Sequence, residues 1–408
     1  MRRVVVTGMA GLSPIGNDWA AVEAALRQGR SGVRYMPEWE VYQGLNSRLA
    51  APAAPFELPA HYTRQRVRGM GRIGVLATRA SELALADAGL LGDPILASGR
   101  AGVAYGSSSG SPASVQEFGE MLITHRTDSI KANTYVRMMP HTTAVNIGIF
   151  FGMTGRILPS SSACTSGSLG IGYAYEAIKH GQQAVMVAGG AEELNASQTA
   201  VFDTLFATST RNEAPQSTPA PFDADRDGLV IGEGAGTLVL EELEHAVARG
   251  ARIHAEVIGF GTNSDGKHVT QPTQETMAEA MRLALADAGL SPDAIGYVNA
   301  HGTATDLGDV AESRATREVF GRAVPISSLK SYTGHTLGAC GSLEAWMTIA
   351  MQNVGWAAPT LNLRNLDPNC ADLDYLVDGG RVLDFEFAMS NNFAFGGVNS
   401  SLIFRRWR

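Results

Sequence analysis

The sequence predicts an α/β protein whose strands and helices stack in layers and whose chain forms two related halves. Three observations predict this. Strand-like apolar runs alternate with helix-periodic segments on both sides of residue 250. The segment Ala255-Glu256-Val257-Ile258-Gly259-Phe260-Gly261 echoes the opening strand-and-glycine pattern Val4-Val5-Val6-Thr7-Gly8. Apolar residues make up 45% of the 408 positions against 18% charged, which suits a large buried core. The halves are expected over residues 1–250 and 251–408, with the chemistry between them at strand ends.

Residues 4–8 read as a buried strand closing in a glycine turn. Trp19 to Arg27 reads as a helix capped by Asn17 or Asp18. Residues 36–63, rich in Pro, Ala and Gln, read as an irregular surface excursion. Arg64, Arg66, Arg68 and Arg72 then place four arginines in nine residues of a chain with net charge −8. Such a cluster is either a solvated basic face or a dock for an acidic partner. Residues 73–89 form an alanine-rich helix and 101–105 a strand. The loop Gly106-Ser107-Ser108-Ser109-Gly110-Ser111 is a weak phosphate-binding signal. Residues 112–154 read as helical, interrupted at Pro140.

The stretch Ser160-Ser161-Ser162-Ala163-Cys164-Thr165-Ser166-Gly167 comes next. It is rich in cap residues, and Leu169, Ile171, Ala174, Ala177 and Ile178 follow at helical spacing up to the stop at Gly181. Cys164 is therefore expected in the first turn of a helix. Unpaired N–H groups there, worth up to about 2 kcal/mol to an anion, lower a thiol pKa to about 7. Ala163, Ser166 and Gly167 are small enough to admit a bulky substrate. The alternative is a buried structural cysteine.

A strand at 184–188 follows, then a strand at 237–241 and a short helix ending at Gly250. Past the boundary come the echoing strand, a helix from Thr276 to Ala288, a strand at 296–300, a helix from Ser342 to Met351, and strands at 387–390 and 400–404. Three glycine-flanked motifs stand among them. Asn299-Ala300-His301-Gly302-Thr303-Ala304-Thr305-Asp306 places His301 at a strand end. Leu329-Lys330-Ser331-Tyr332-Thr333-Gly334-His335-Thr336-Leu337-Gly338-Ala339-Cys340-Gly341 places His335 between a strand and a helix. Asn391-Asn392-Phe393-Ala394-Phe395-Gly396-Gly397-Val398-Asn399 reads as a glycine-rich hairpin. One histidine at a strand end is commonly structural; two, with a helix-start cysteine, suggest a site.

Several classes are excluded by what is missing. The acidic balance argues against a nucleic-acid binder. Three cysteines, Cys164, Cys340 and Cys370, are too few for a disulfide framework, so a reduced, cytoplasmic setting is expected. The apolar part of Met1–Gly8 is too short for a secretory signal, and no run approaches the length of a membrane span. No GxxxxGK[ST], CxxC or HExxH occurs, and no metal spacing is present.

Taken together, these motifs and Pro221-Phe222-Asp223-Ala224-Asp225-Arg226-Asp227-Gly228 resemble the β-ketoacyl-acyl-carrier-protein synthases. These belong to the thiolase-like condensing-enzyme superfamily, and the likeness is to its elongating type I/II members over nearly the whole chain. The resemblance implies a five-layered αβαβα fold of two duplicated halves, assembled as a homodimer. It implies Cys164 as the nucleophile that takes the acyl chain. His301 and His335 would promote decarboxylation of malonyl-acyl-carrier protein and stabilise the enolate. Lys330 would be a buried ordering lysine and Glu312 its acidic partner. The Phe395 N–H would join that of Cys164 as an oxyanion hole. Thr303 and Thr305 would bind the phosphopantetheine arm, with Phe202, Phe393 and Thr270 also facing substrate. Because that arm belongs to the carrier protein, no cofactor is implied. An acidic carrier protein makes Arg64, Arg66, Arg68, Arg72 and Lys131 docking candidates.

Neutral histidines suit this chemistry, since each can donate N–H to an enolate oxygen, and a cationic Lys330 favours neutrality. Some positions depart from the family pattern. Asp306-Leu307 replaces a usual proline, Cys340 a usual alanine, and Tyr135-Val136-Arg137-Met138-Met139-Pro140 is bulky. These leave the acyl chain open. Two other readings share the sequence: a type II polyketide ketosynthase building polyene (aryl polyene-like) chains, as homodimer or heterodimer with a related subunit, and a non-catalytic chain-length-factor-like partner. The last typically lacks the cysteine that is present here.

Overall fold

A computed structural model describes all 408 residues. Ten strands matter for the site: β1 (Val4–Leu12), β2 (Ala101–Gly106), β3 (Ile157–Pro159), β4 (Val185–Glu192), β5 (Gly234–Glu242), β6 (Ala255–Ser264), β7 (Ile295–Asn299), β8 (Pro325–Ser327), β9 (Phe387–Ala394) and β10 (Val398–Arg406). Five helices frame them: α1 (Arg72–Asp87), α2 (Ser166–Lys179), α3 (Gln274–Ala288), α4 (Asp306–Phe320) and α5 (Cys340–Val354).

The strands run β8-β7-β9-β10-β6-β1-β5-β4-β2-β3, with Asp374–Tyr375 added beside β8. Numbered within each half, both halves have the order 3-2-4-5-1 and meet where β1 pairs antiparallel with β6. Strand periodicity separates the layers. Val185 and Val187 of β4 enter an outer core with Ile73 and Leu76 of α1. Their neighbours Met186 and Ala188 enter a central core with Ile171 of α2 and Trp346 of α5. On β10, Leu402 and Phe404 join the central core, whereas Ile403 joins a third core with Met277 and Met281 of α3. Successive side chains point to opposite faces of a strand, so three cores mean two half-sheets with α2 and α5 between them. The fold is the five-layered α/β arrangement.

That placement explains why α2 is buried over most of its surface, opening only at Tyr173, Glu176 and Lys179. Both half-sheets press on it. A Cβ at Gly167 would come within 2.9 Å of the Ser342 nitrogen, and one at Gly172 within 2.2 Å of the Phe260 ring. Each glycine costs the helix about 1 kcal/mol relative to alanine, but only glycine permits the approach.

Four expectations are corrected. β1 does not turn at Gly8; it continues to Leu12, and Gly8 is there because a Cβ would meet the Ala84 carbonyl of α1 at 2.2 Å. Its echo behaves alike, since a Cβ at Gly261 would meet the Ala280 carbonyl of α3 at 2.1 Å. Residues 36–63 are not merely surface. Met36, Trp39 and Leu45 are buried, and Leu49–Ala51 pairs with both Arg34–Tyr35 and Ile231–Gly232. The Gly/Ser loop after β2 does not open onto a phosphate site: the Ser108 N–H donates to buried Glu192 at 3.0 Å. His335 follows a helical turn, Lys330–Thr333, not a strand directly.

Candidate active site

Cys164 sits on a sharp elbow between β3 and α2. Ala163 adopts a left-handed φ of +51°, a conformation costing roughly 1–2 kcal/mol for a residue with a Cβ. Local bonds offset that. The Ser162 carbonyl accepts from the Thr165 N–H at 3.2 Å, and the Ala163 carbonyl accepts from the Ser166 N–H at 3.1 Å and hydroxyl at 2.7 Å. Cys164 therefore precedes the helix, whose first residue is Ser166.

This corrects the expected thiol. Cys164 is 5% exposed, and burial pushes its pKa up to about 12. The Lys330 charge and the N–H groups of Phe395 and of Cys164 itself pull the other way without prevailing. Desolvation outweighs a dipole term of at most about 2 kcal/mol. Burial thus favours the neutral thiol, while the surrounding N–H groups and the Lys330 charge favour the thiolate.

His301 leaves the end of β7, and His335 lies in the turn before α5. The Cys164 sulfur and one ring nitrogen of each histidine lie within 4.8 Å of one another, all buried. His335 Nε2 is 3.1 Å from the sulfur, and the two rings meet edge to face at 5.2 Å. Burial first, then the Lys330 charge, holds both imidazoles well below their ordinary 6.5. The Leu337 N–H donates to His335 Nδ1 at 3.3 Å, so the ring proton is on Nε2 and faces the sulfur.

Lys330 is behind the histidines, fully buried, and its partner is not Glu312. Its ammonium pairs with Glu344 of α5 at 2.5 Å. Glu312 instead accepts the N–H groups of His301 and Gly302, both at 2.7 Å, and burial raises its pKa to about 8. The physical reason is reach: Glu312 projects from α4 beneath the His301 loop, whereas Glu344 shares the central layer with Lys330. Glu344 has a sequence signal, the lone charged residue in the mainly apolar run Ser342–Met351. Asp309 also braces that loop, accepting from Thr303 N–H at 3.0 Å and Ala304 N–H at 3.1 Å, with Arg226 beside it.

A cavity of about 450 Å³ opens onto this cluster, lined by both apolar and polar groups. Phe202, Thr270, Thr303, Thr305, Phe393 and Phe395 all face it. The Thr303 and Thr305 hydroxyls are 2.9 Å apart, and the Phe202 and Phe395 rings meet at 5.1 Å. The basic candidates lie outside the cavity and differ among themselves. Arg72 forks onto Glu233 at 2.6 and 2.7 Å. Arg66 stacks 3.7 Å over the Phe150 ring. Lys131 pairs with Glu117. Arg64 and Arg68 are exposed.

Comparison with known proteins fits this geometry. The family model "Beta-ketoacyl synthase, N-terminal domain" matches residues 1–246, and its C-terminal counterpart matches 254–364. A 3-oxoacyl-[acyl-carrier-protein] synthase 2 of Vibrio cholerae is 40% identical over 99% of each chain. A crystal structure of a Beta-ketoacyl synthase from Burkholderia phymatum is 62% identical, covers all of both chains and superposes with a TM-score of 0.99. A type II polyketide ketosynthase solved with its acyl-carrier protein is 30% identical over both full chains, with a TM-score of 0.89. With its cysteine elbow facing two neutral histidines across a two-half α/β core, the chain belongs to the β-ketoacyl synthase family of acyl-transferring condensing enzymes.

Proposed function

We propose that this protein elongates fatty acyl chains by decarboxylating condensation with malonyl-acyl-carrier protein. The observation that carries the reading is the buried cluster of one thiol and two neutral imidazoles at the end of a substrate-sized cavity. Residues 1–250 supply the nucleophile, and residues 251–408 supply both histidines. The acyl thioester enters through the cavity with its phosphopantetheine arm along Thr303 and Thr305. Cys164 sulfur attacks the thioester carbonyl, a new C–S bond forms, and the pantetheine thiolate leaves with the thiol proton. The transient oxyanion accepts from the Cys164 and Phe395 N–H groups, a term worth about 3 kcal/mol per donor.

Malonyl-carrier protein then binds. Its carboxylate leaves as CO2, and the electron pair passes to an enolate whose oxygen accepts N–H from His301 and His335. Because both rings are neutral, neither has to be deprotonated first. The enolate carbon attacks the acyl-cysteine carbonyl, the C–C bond forms, and the Cys164 thiolate is expelled. Burial, reinforced by the Lys330 charge, keeps the rings neutral, and Lys330 is itself held by Glu344. The phosphopantetheine arm is the carrier's own; the steps ask for no other cofactor.

The carrier protein is the partner expected at the mouth, and two copies of this chain form the working unit. The dimer reading is supported by β3 at the end of the sheet and by the exposed apolar residues Leu122, Ile123 and Tyr135. A heterodimer with a related subunit is the other outcome of a mass measurement in solution. No helix is long and apolar enough to cross a membrane, and a cytoplasmic setting fits the acyl-carrier substrates.

The test is intact-protein mass spectrometry after incubation with saturated, monounsaturated, polyene and aryl-enoyl carrier proteins. A mass gain from saturated or monounsaturated donors, absent in Cys164→Ala, is the expected result. Preference for polyene or aryl donors would move the protein to polyketide assembly. No adduct from any donor would leave a non-catalytic partner subunit.

A further inference from the structure

The two histidines are oriented by different means. His335 Nδ1 accepts a backbone N–H, that of Leu337. At His301 the hydrogen-bond partner of Nδ1 is a side chain, the amide nitrogen of Asn392 at 3.4 Å. Asn392 is on β9 and has no exposed surface.

The direction of this amide is dictated by its surroundings. Asn392 Nδ2 is 2.8 Å from Glu344 Oε2. A carboxylate paired with a lysine is an acceptor only, so turning the amide over would set two oxygens against each other. The NH2 group therefore faces Glu344, and its second hydrogen points towards His301 Nδ1 and the Cys340 sulfur, 3.7 Å away. Its oxygen is buried without a partner, held on the Gly341 side, where a Cβ would come within 2.6 Å. An unpartnered buried carbonyl is destabilising, so the arrangement favours the NH2 contacts at the expense of the oxygen.

We propose that Asn392 is a positioning residue that fixes His301 as the Nε2–H tautomer, so that His301 and His335 present matched N–H donors to one enolate oxygen. A neutral ring whose Nδ1 accepts must carry its proton on Nε2. The chain Lys330–Glu344–Asn392–His301 thus does for one ring what the Leu337 N–H does for the other. Without the amide, His301 is free to take its proton on Nδ1 and to offer the enolate a lone pair instead of a donor. The inference rests on the condensing function proposed above.

The test separates the two half-reactions in Asn392→Leu, which keeps the volume and removes the amide. Acyl transfer to Cys164 is followed by intact mass, and decarboxylation by CO2 released from malonyl-carrier protein. Decarboxylation is expected to fall about 30-fold, a large part of the value of one oxyanion donor, while acyl transfer stays within about threefold. Adding Asn392→Leu to His301→Ala should cost less than about twofold more, because the ring it acts through is gone. Equal losses in both half-reactions, or a full second loss in the His301→Ala background, would overturn the proposal. Should Asn392→Leu fail to fold, Asn392→Ser is too short to reach His301 and must show the same split. If the native chain neither takes an acyl group nor releases CO2, the function itself fails. If it does both and the Asn392 variants match it, only this inference fails.

Discussion

In the N-terminal half, the loop after the second strand of the repeat, Gly106–Ser111, carries no titratable side chain. Its counterpart after β7 carries His301. After the third strand, the N-terminal half presents Cys164 and the C-terminal half presents Lys330 and His335. Two buried carboxylates near the site, Glu192 and Glu344, also differ in their partners. Glu192 takes only neutral donors: Ser108 N–H at 3.0 Å, Gly338 N–H at 2.9 Å, Gln198 at 3.1 Å and Ser109 at 3.4 Å. Burial raises its pKa to about 7. Glu344 takes an ammonium and the Asn392 amide. One backbone plan thus offers twin loop positions. In the first half one position braces the site and the other holds the cysteine, and in the second they carry the charge and both imidazoles. On the proposed mechanism the nucleophile and the enolate donors come from opposite halves, and substrate reacts where they face each other.

Breaking the charged pair should have the largest effect. Lys330→Ala leaves Glu344 uncompensated and should cost about 3–5 kcal/mol, read as the urea midpoint. Lys330→Met with Glu344→Met should recover most of that stability but not condensation. Glu192→Gln keeps an oxygen for the Ser108 and Gly338 N–H groups, so its cost should be only about 1 kcal/mol. A cost equal to that of Lys330→Ala would erase the contrast. His301→Ala and His335→Ala should each lower elongation by about 10²–10³-fold with folding intact; normal elongation by either would remove its donor role.

The same carboxylates set the sign of a pH effect. Glu192 at about 7 and Glu312 at about 8 bind protons in the folded state that the unfolded chain has released above about 4.5. Their contribution to stability therefore declines as pH rises towards 8. The histidines act oppositely: depressed in the fold, they lose stability as pH falls below 6.5, where the unfolded chain gains protons. Between pH 6.5 and 8 these carboxylates still titrate while the folded histidines do not, so unfolding free energy should decline over that window. Glu192→Gln should flatten the slope, and an unchanged slope would assign it to Glu312 alone.

Much of this was legible in the sequence, because the repeat, the glycine-flanked histidines and the cap-rich stretch around Cys164 are local patterns. The pairing of Lys330 was not. Glu312 and Glu344 are both acids on helices after a histidine motif, and only the layer each helix occupies decides which one meets the lysine. The thiol departs from its expectation for a related reason: a helix start can be read from cap residues, but burial of Cys164 between two half-sheets cannot. Asn392 carries no such signal, since nothing in Asn391-Asn392-Phe393 says which amide faces a carboxylate.

The arginine cluster offers the smallest and sharpest test of that difference. Sequence treats Arg64, Arg66, Arg68 and Arg72 as one patch. In the fold, Arg72 neutralises buried Glu233, and Arg66 covers Phe150 and donates to its carbonyl at 2.8 Å. Arg64 and Arg68 have no carboxylate partner and are the cations free to meet an acidic carrier. Arg64→Glu with Arg68→Glu should raise KM for carrier-bound substrate about three- to tenfold, with kcat unchanged and the difference fading at high salt. Arg72→Ala should instead lower stability by about 1 kcal/mol, discounted because its side chain is half exposed, and leave KM near its native value. If Arg72→Ala raises KM as much as the double reversal, the patch docks as a unit and the internal pairing seen here is exchanged for the carrier on binding.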